Sequence, residues 1–151
     1  MRVVIGSDHG GYELKKDLIG LLKELGHEVV DFGTHSQEPV DYPDIACLVA
    51  TAVAREAGAV GIMIDGAGTG SAMTANKVPG VRAAACYDTF TARNSREHNH
   101  ANVLTLGSRN TGIEIAREIV KVWLSSSFGG SRHQRRIEKM LQVERRFMRE
   151  N

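Results

Sequence analysis

The sequence predicts an α/β fold, a single doubly wound, Rossmann-like sheet of five parallel strands flanked by helices, and three observations carry that expectation. Short apolar runs alternate with helix-length segments along the whole 151-residue chain, and parallel strands need crossover helices to join them. The run Ala59-Val60-Gly61-Ile62-Met63-Ile64 is almost continuously apolar, as in a strand buried on both faces. Polar, glycine-rich turns follow the apolar runs, where an open parallel sheet receives its ligands. The length suits one domain, residues 1–151, and a chain of this size buries roughly 68–70% of its unfolded surface without needing disulfides or metals.

The elements read in order. Arg2-Val3-Val4-Ile5-Gly6 is a buried strand that stops at the turn Ser7-Asp8-His9-Gly10-Gly11. Leu14, Leu18, Leu21, Leu22 and Leu25 recur at helical spacing, with Gly26 at the C-cap. His27 to Phe32 is a second strand, and 33–43 is the longest loop, holding two of the three prolines. A helix over 44–57, capped by Gly58, precedes the strand over 59–64. Then follow a helix from about Thr69 to Lys77, a strand over 80–86, a helix over 89–97, a strand over 102–106 and a helix over 111–124. Ser125-Ser126-Ser127-Phe128-Gly129-Gly130 reads as a linker. Beyond it, 131–148 is a basic amphipathic helix whose apolar stripe, Ile137, Met140, Leu141, Val143, Phe147 and Met148, suits docking on a partner subunit.

The net charge of +1 conceals an asymmetry: residues 1–130 carry 12 basic and 15 acidic side chains, and residues 131–151 carry seven basic and three. An acidic body and an aromatic content of 5% argue against nucleic acid as a partner. No apolar run approaches the ~20 residues of a membrane span, and Met1 leads directly into a strand rather than a signal-like segment, so a cytoplasmic location is expected. Cys47 and Cys86 lie 39 positions apart with no zinc-like spacing and are expected to be inert buried thiols.

Four loops directly after strands hold candidate chemistry. Asp8-His9 offers a carboxylate beside an imidazole, although Asp8 could equally cap a turn. Asp65-Gly66-Ala67-Gly68-Thr69-Gly70-Ser71 lets backbone N–H groups approach an anion, yet it is neither a Walker A loop nor a full dinucleotide fingerprint. A flavodoxin-like nucleotide binder is disfavoured for want of an acidic ribose ligand at the expected offset. The other two are Cys86-Tyr87-Asp88 and Gly107-Ser108-Arg109-Asn110. Glu97-His98-Asn99-His100 ends a helix, where the dipole alone favours histidine. Arg132 and Arg136, spaced i,i+4 beside His133, could grip a phosphate.

Taken in this order, these segments resemble the ribose-5-phosphate isomerase B family, which includes galactose-6-phosphate and allose-6-phosphate isomerases. The resemblance rests on Gly6-Ser7-Asp8-His9-Gly10-Gly11, Asp41-Tyr42-Pro43, Gly66-Ala67-Gly68-Thr69-Gly70, Ala75-Asn76-Lys77, Arg96-Glu97-His98-Asn99, Gly107-Ser108-Arg109 and Arg132-His133-Gln134-Arg135-Arg136. It implies a homodimer, or a tetramer built from dimers, with the active site between subunits. That site would interconvert a phosphorylated aldose and ketose through a cis-enediolate, without metal or cofactor. By the same resemblance Asp8 and Tyr42 contact sugar hydroxyls and the ring oxygen, and His98 is the acid/base that opens the furanose. Asn99 and the N–H groups from Gly66 to Gly70 hold the enediolate oxygen, while His9, Arg109, Arg132 and Arg136 bind phosphate. Thr69 and Ser71 join Asp65 and His98 as expected catalytic positions, and His133 joins the substrate-binding set.

The chain departs from the family where it matters most. Most members carry a cysteine base directly after the third strand, and a second branch carries a glutamate at the position of Ser71; this chain has Asp65 and Ser71. Three readings stand open: Asp65 is the base, Asp65 is a structural turn residue in an isomerase of altered substrate, or the protein binds sugar phosphates without turning them over. Ala67, where many members carry a hydroxyl residue, keeps a tetrose or hexose phosphate in view.

Overall fold

The computed structural model describes residues 1–148; Arg149, counted above in the basic tail, and the last positions of the 1–151 domain lie outside the described residues. Five strands, β1 (Arg2–Ser7), β2 (Glu28–Asp31), β3 (Val60–Asp65), β4 (Ala83–Ala85) and β5 (Val103–Gly107), form one sheet of order β2-β1-β3-β5-β4, parallel throughout. Six helices accompany it: α1 (Tyr12–Glu24), α2 (Tyr42–Arg55), α3 (Thr69–Ala75), α4 (Thr89–Glu97), α5 (Ile113–Ser125) and α6 (Arg132–Phe147).

Strand alternation divides the core into two layers. Val3, Ile5, Ile62, Ile64, Leu104 and Leu106 face α1, α4 and α5, meeting Leu18, Leu22, Ala92, Ile119 and Trp123. Val4, Met63 and Val103 face the other way, toward Ala46, Val49, Ala50 and Val53 of α2 and Ala75 of α3. Glycine lets α2 lie close to this second face: a Cβ on Gly61 would fall 2.8 Å from Val49 Cγ1, well inside contact distance.

Three differences from the sequence reading have local causes. Strand β4 is shorter than 80–86 because Gly80 turns the chain at φ +87° and side-chain amides intercept the next backbone donors: Arg82 N–H goes to Asn102 Oδ1 and Ala83 N–H to Asn76 Oδ1. Helix α2 starts two residues early, with Pro43 in its first turn where a missing N–H costs nothing, so Tyr42 sits on the helix. Cys47 is exposed rather than buried, since the buried stripe of α2 runs through Ala46, Val49 and Ala50 and passes it by; Cys86 is buried, and burial pushes its thiol pKa up.

Helix α6 buries His133 and Ile137 and leaves Met140, Val143, Phe147 and Met148 of its apolar stripe exposed. Among the described residues no helix is long and apolar enough to cross a membrane.

Candidate active site

The chain's chemistry-bearing residues gather in two separate places. One is the carboxyl edge of the sheet, where a cleft of about 400 Å³ is lined by Asp8, His9, Gly10, Gly66, Ala67, Arg109 and Asn110. Asp8 is anchored at the end of β1, its N–H donating to Ile64 O at 3.1 Å and its Oδ1 accepting the Gly11 N–H at 3.0 Å. The turn-capping role open to Asp8 is thus present, and it occupies one carboxylate oxygen only. His9 Nδ1 is anchored on the Val40 backbone, 3.1 Å from its N–H and 3.2 Å from its carbonyl oxygen. Tyr42 lies against the glycine loop, and only glycine fits beside it: a Cβ on Gly70 would fall 2.6 Å from Tyr42 Oη.

The glycine loop is held from several sides. Gly68 takes φ +82°, a left-handed conformation that other residues disfavour. Thr105 Oγ1 donates to Gly68 O at 2.6 Å, Tyr87 Oη to Ala67 O at 3.1 Å, and Arg109 N–H to Gly66 O at 2.9 Å. Asp65 is only 5% exposed and turns back into this loop, Oδ1 accepting the N–H of Gly68 and Oδ2 that of Ser71 at 3.1 Å. Both oxygens of the expected base are engaged by backbone donors, and the Gly68 amide is not free to hold a substrate oxygen. The amides of Ala67, Thr69 and Gly70 make no hydrogen bond among the described residues. Ser71, expected as catalytic, has 0% exposure, so its hydroxyl is sealed off from substrate, whereas Thr69 is exposed at the start of α3.

The second cluster lies at the opposite edge. Helix α4 runs back against the strand direction, so its C-terminal residues reach the sheet edge where β5 begins at Val103, while Asp65 pairs with Gly107 at the far end. Four strand steps of about 3.3 Å separate those edges by about 13 Å. Here the His98 and His133 rings stack with centroids 4.1 Å apart, joining α4 to the first turn of α6 and to Arg132 and Arg136. Burial, then the neighbouring His98, Arg132 and Arg136, hold the His133 pKa below its ordinary 6.5. Asn94 bridges the pair His98–Asn99 through one side-chain amide. Two guanidiniums brace the turn that follows, Arg82 Nε donating to His100 O at 2.8 Å and Arg96 Nη1 to Ala101 O at 2.6 Å. His100 is exposed and stacks on Phe128.

A model of the family described as ribose/galactose isomerase matches residues 3–140. The chain belongs to the ribose/galactose isomerase family. The Escherichia coli (strain K12) ribose-5-phosphate isomerase B is 44% identical over 145 residues, covering 96% of this chain and 97% of the relative. The Clostridium thermocellum ribose-5-phosphate isomerase B structure superposes with a TM-score of 0.95 at 49% identity, covering 98% and 100% of the two chains. That of Mycoplasma genitalium, with bound ribulose-5-phosphate, does so with a TM-score of 0.92 at 42% identity, covering 95% and 96%. Membership makes the chain an aldose–ketose isomerase of sugar phosphates.

Within the isomerase, Asp8, His9, Tyr42, Gly66, Ala67, Gly68, Thr69, Gly70 and Arg109 come together at the carboxyl edge, and His98, Asn99, Arg132, His133 and Arg136 at the other. Sequence reasoning missed the supports: Tyr87 and Thr105 on the loop carbonyls, and Asn94, Arg82 and Arg96 around His98. Tyr87 carried a signal, standing in a loop directly after a strand, and so did Arg96, within the segment Arg96-Glu97-His98-Asn99. Among the described residues no three His, Cys, Asp or Glu side chains gather as metal ligands.

Proposed function

We propose that the chain interconverts a phosphorylated aldose and ketose, ribose 5-phosphate and ribulose 5-phosphate or a related C4 to C6 sugar phosphate, through a cis-enediolate at a site completed by a second copy of the chain. The observation that carries this reading is the separation of the two clusters. One chain cannot bring Asp8 and the glycine loop onto the same five-carbon sugar as His98 and Asn99 when the strands' full length lies between them. A second copy can, and a two-fold pairing then builds two equivalent sites. The exposed Met140, Val143 and Phe147 of α6 supply apolar surface for such a contact.

In that composite site His98 protonates the ring oxygen to open the furanose. Its Nδ1 accepts from Asn94, so Nε2 carries the proton to be given. A base then removes the proton at C2, the C–H electron pair becomes the C1–C2 double bond, and the carbonyl electrons move onto O1. The amides of Ala67, Thr69 and Gly70, with Asn99, receive that oxyanion. Transfer of the O2 hydroxyl proton to O1, with return of the abstracted proton to C1, yields the ketose. His9, Arg109, Arg132 and Arg136 hold the phosphate, where guanidinium forks match its oxygens.

Turnover is read by proton NMR in deuterated water over a panel of C4 to C6 aldose phosphates. Loss of the C2 proton signal with appearance of ketose is expected for at least one sugar. The engagement of both Asp65 oxygens favours a second reading, binding without turnover, which the same assay separates: a sugar phosphate that binds but shows neither exchange nor ketose supports it.

A further inference from the structure

The isomerase reading needs one group that takes the C2 proton, and the family's usual place for it is occupied by a carboxylate committed elsewhere. Both Asp65 oxygens accept backbone amides, of Gly68 and of Ser71, that fix the loop, and Asp65 does not line the cleft that holds Asp8, so a proton on either oxygen would weaken one of those bonds. Releasing either would loosen the peptide planes that aim the Ala67, Thr69 and Gly70 donors. Its place in the fold is therefore that of a positioning residue.

The same cleft holds a second carboxylate in the opposite circumstance. Asp8 Oδ1 accepts the Gly11 N–H at 3.0 Å, while Oδ2 makes no hydrogen bond among the described residues, and Asp8 lines the cleft together with Gly66 and Ala67. The backbone beneath it is pinned to β3 through Ile64 O. A base held by one oxygen and free at the other, in one cleft with Ala67 of the glycine loop, suits proton abstraction beside a carbonyl. From this geometry we infer that Asp8, through Oδ2, is the proton-transfer base, and that Asp65 serves to hold the glycine loop. The step balances: Oδ2 takes the proton from C2, the C–H electron pair forms the enediolate double bond and O1 takes the negative charge; the O2 hydroxyl proton then passes to O1, and as Oδ2 returns its proton to C1 the double-bond electrons take it up while the O2 electrons form the C2 carbonyl. This assignment rests on the isomerase reading and extends it.

The test compares the wild type, Asp8→Asn and Asp65→Asn by deuterium incorporation at C2 and by calorimetric binding of the sugar phosphate. Asparagine at position 8 keeps an acceptor for the Gly11 N–H, so the turn survives. Asp8→Asn should lose roughly 10³-fold in exchange, within the range spanned by general bases, while its Kd changes only a few-fold. Asp65→Asn should keep measurable exchange, about a tenth of wild type or somewhat less, with a lowered Tm. Near wild-type exchange in Asp8→Asn overturns the assignment, and so does a roughly 10³-fold loss in a folded Asp65→Asn.

Should Asp65→Asn fail to fold, the wild-type protein decides. A haloketone phosphate of the substrate's length is attacked by the base's carboxylate oxygen, which displaces halide and forms an ester. Peptide mapping should find the ester on Asp8, and an ester on Asp65 overturns the proposal. A wild type that exchanges no sugar in the panel instead overturns the isomerase reading, a result distinct from exchange that persists without Asp8.

Discussion

Asn94 ties His98 to Asn99 through a single side-chain amide. Its Nδ2 lies 3.1 Å from His98 Nδ1, and its Oδ1 accepts from Asn99 Nδ2 at 3.3 Å, an arrangement in which Nδ2 donates to Nδ1. An imidazole that accepts at Nδ1 donates at Nε2, the form needed to protonate a ring oxygen.

The first prediction follows directly. Asn94→Asp presents an acceptor to Nδ1 and favours the opposite tautomer. Steady-state kinetics should show turnover falling on the order of 10²-fold with KM little changed. An unchanged turnover would mean that the bridge plays no part in catalysis.

Gly70 carries the second. A methyl group there would fall 2.6 Å from Tyr42 Oη, so Gly70→Ala must displace the tyrosine ring. Sugar-phosphate affinity should weaken by about tenfold or more, while the Tm moves little because Tyr42 is exposed and lies outside the core. Retained affinity would remove Tyr42 from the site.

Stability should depend on pH through His133. Its folded pKa lies below the ordinary 6.5, chiefly by burial and then by His98, Arg132 and Arg136; Glu97 acts weakly in the opposite sense. Below about pH 6.5 the unfolded chain binds a proton that the folded chain refuses, so stability is full above that pH and declines as pH falls toward the lowered value. His100, depressed by burial and by Arg82 and Arg96, adds in the same direction. Denaturant midpoints should fall between about pH 7 and pH 5, and His133→Phe should flatten part of that slope.

Lys15 gives the fourth. Its ammonium is 1% exposed and donates to Asp31 Oδ1 and Thr34 O, both at 2.6 Å, tying α1 to the start of the loop that carries Val40 to His9. Lys15→Met keeps the stem and removes both bonds. Urea unfolding should show a loss of about 2 kcal/mol, the scale of hydrogen bonds to a charged donor. Substrate affinity should fall as well, because the Val40 support of His9 shifts.

Periodicity and turn residues made much of this legible in advance. Leu14, Leu18, Leu21 and Leu22 drew α1, the apolar run before Asp65 drew the central strand, and the loops after the strands marked Asp8, His9 and Arg109. Orientation was not legible. That Asp65 points back at Gly68 and Ser71, and that Ser71 falls on the buried face of α3, depends on the φ of Gly68 and the pitch of a seven-residue helix, which composition does not encode. Cys47 was misread because burial within α2 turns on a single position of helical phase. The supporting contacts of Asn94, Thr105 and Lys15 pair residues distant in sequence or ordinary in type, so no local pattern announces them.

The account turns on a site shared between two copies, and subunit mixing tests it most directly. Asp8→Asn and His98→Gln should each be inactive alone, since they remove groups from opposite clusters. Dissociated and reassociated together, they should recover about a quarter of wild-type activity: half the dimers are mixed, and each mixed dimer carries one site with both residues intact. Recovery no greater than the mean of the two parents would contradict the account and would place the whole site within one chain.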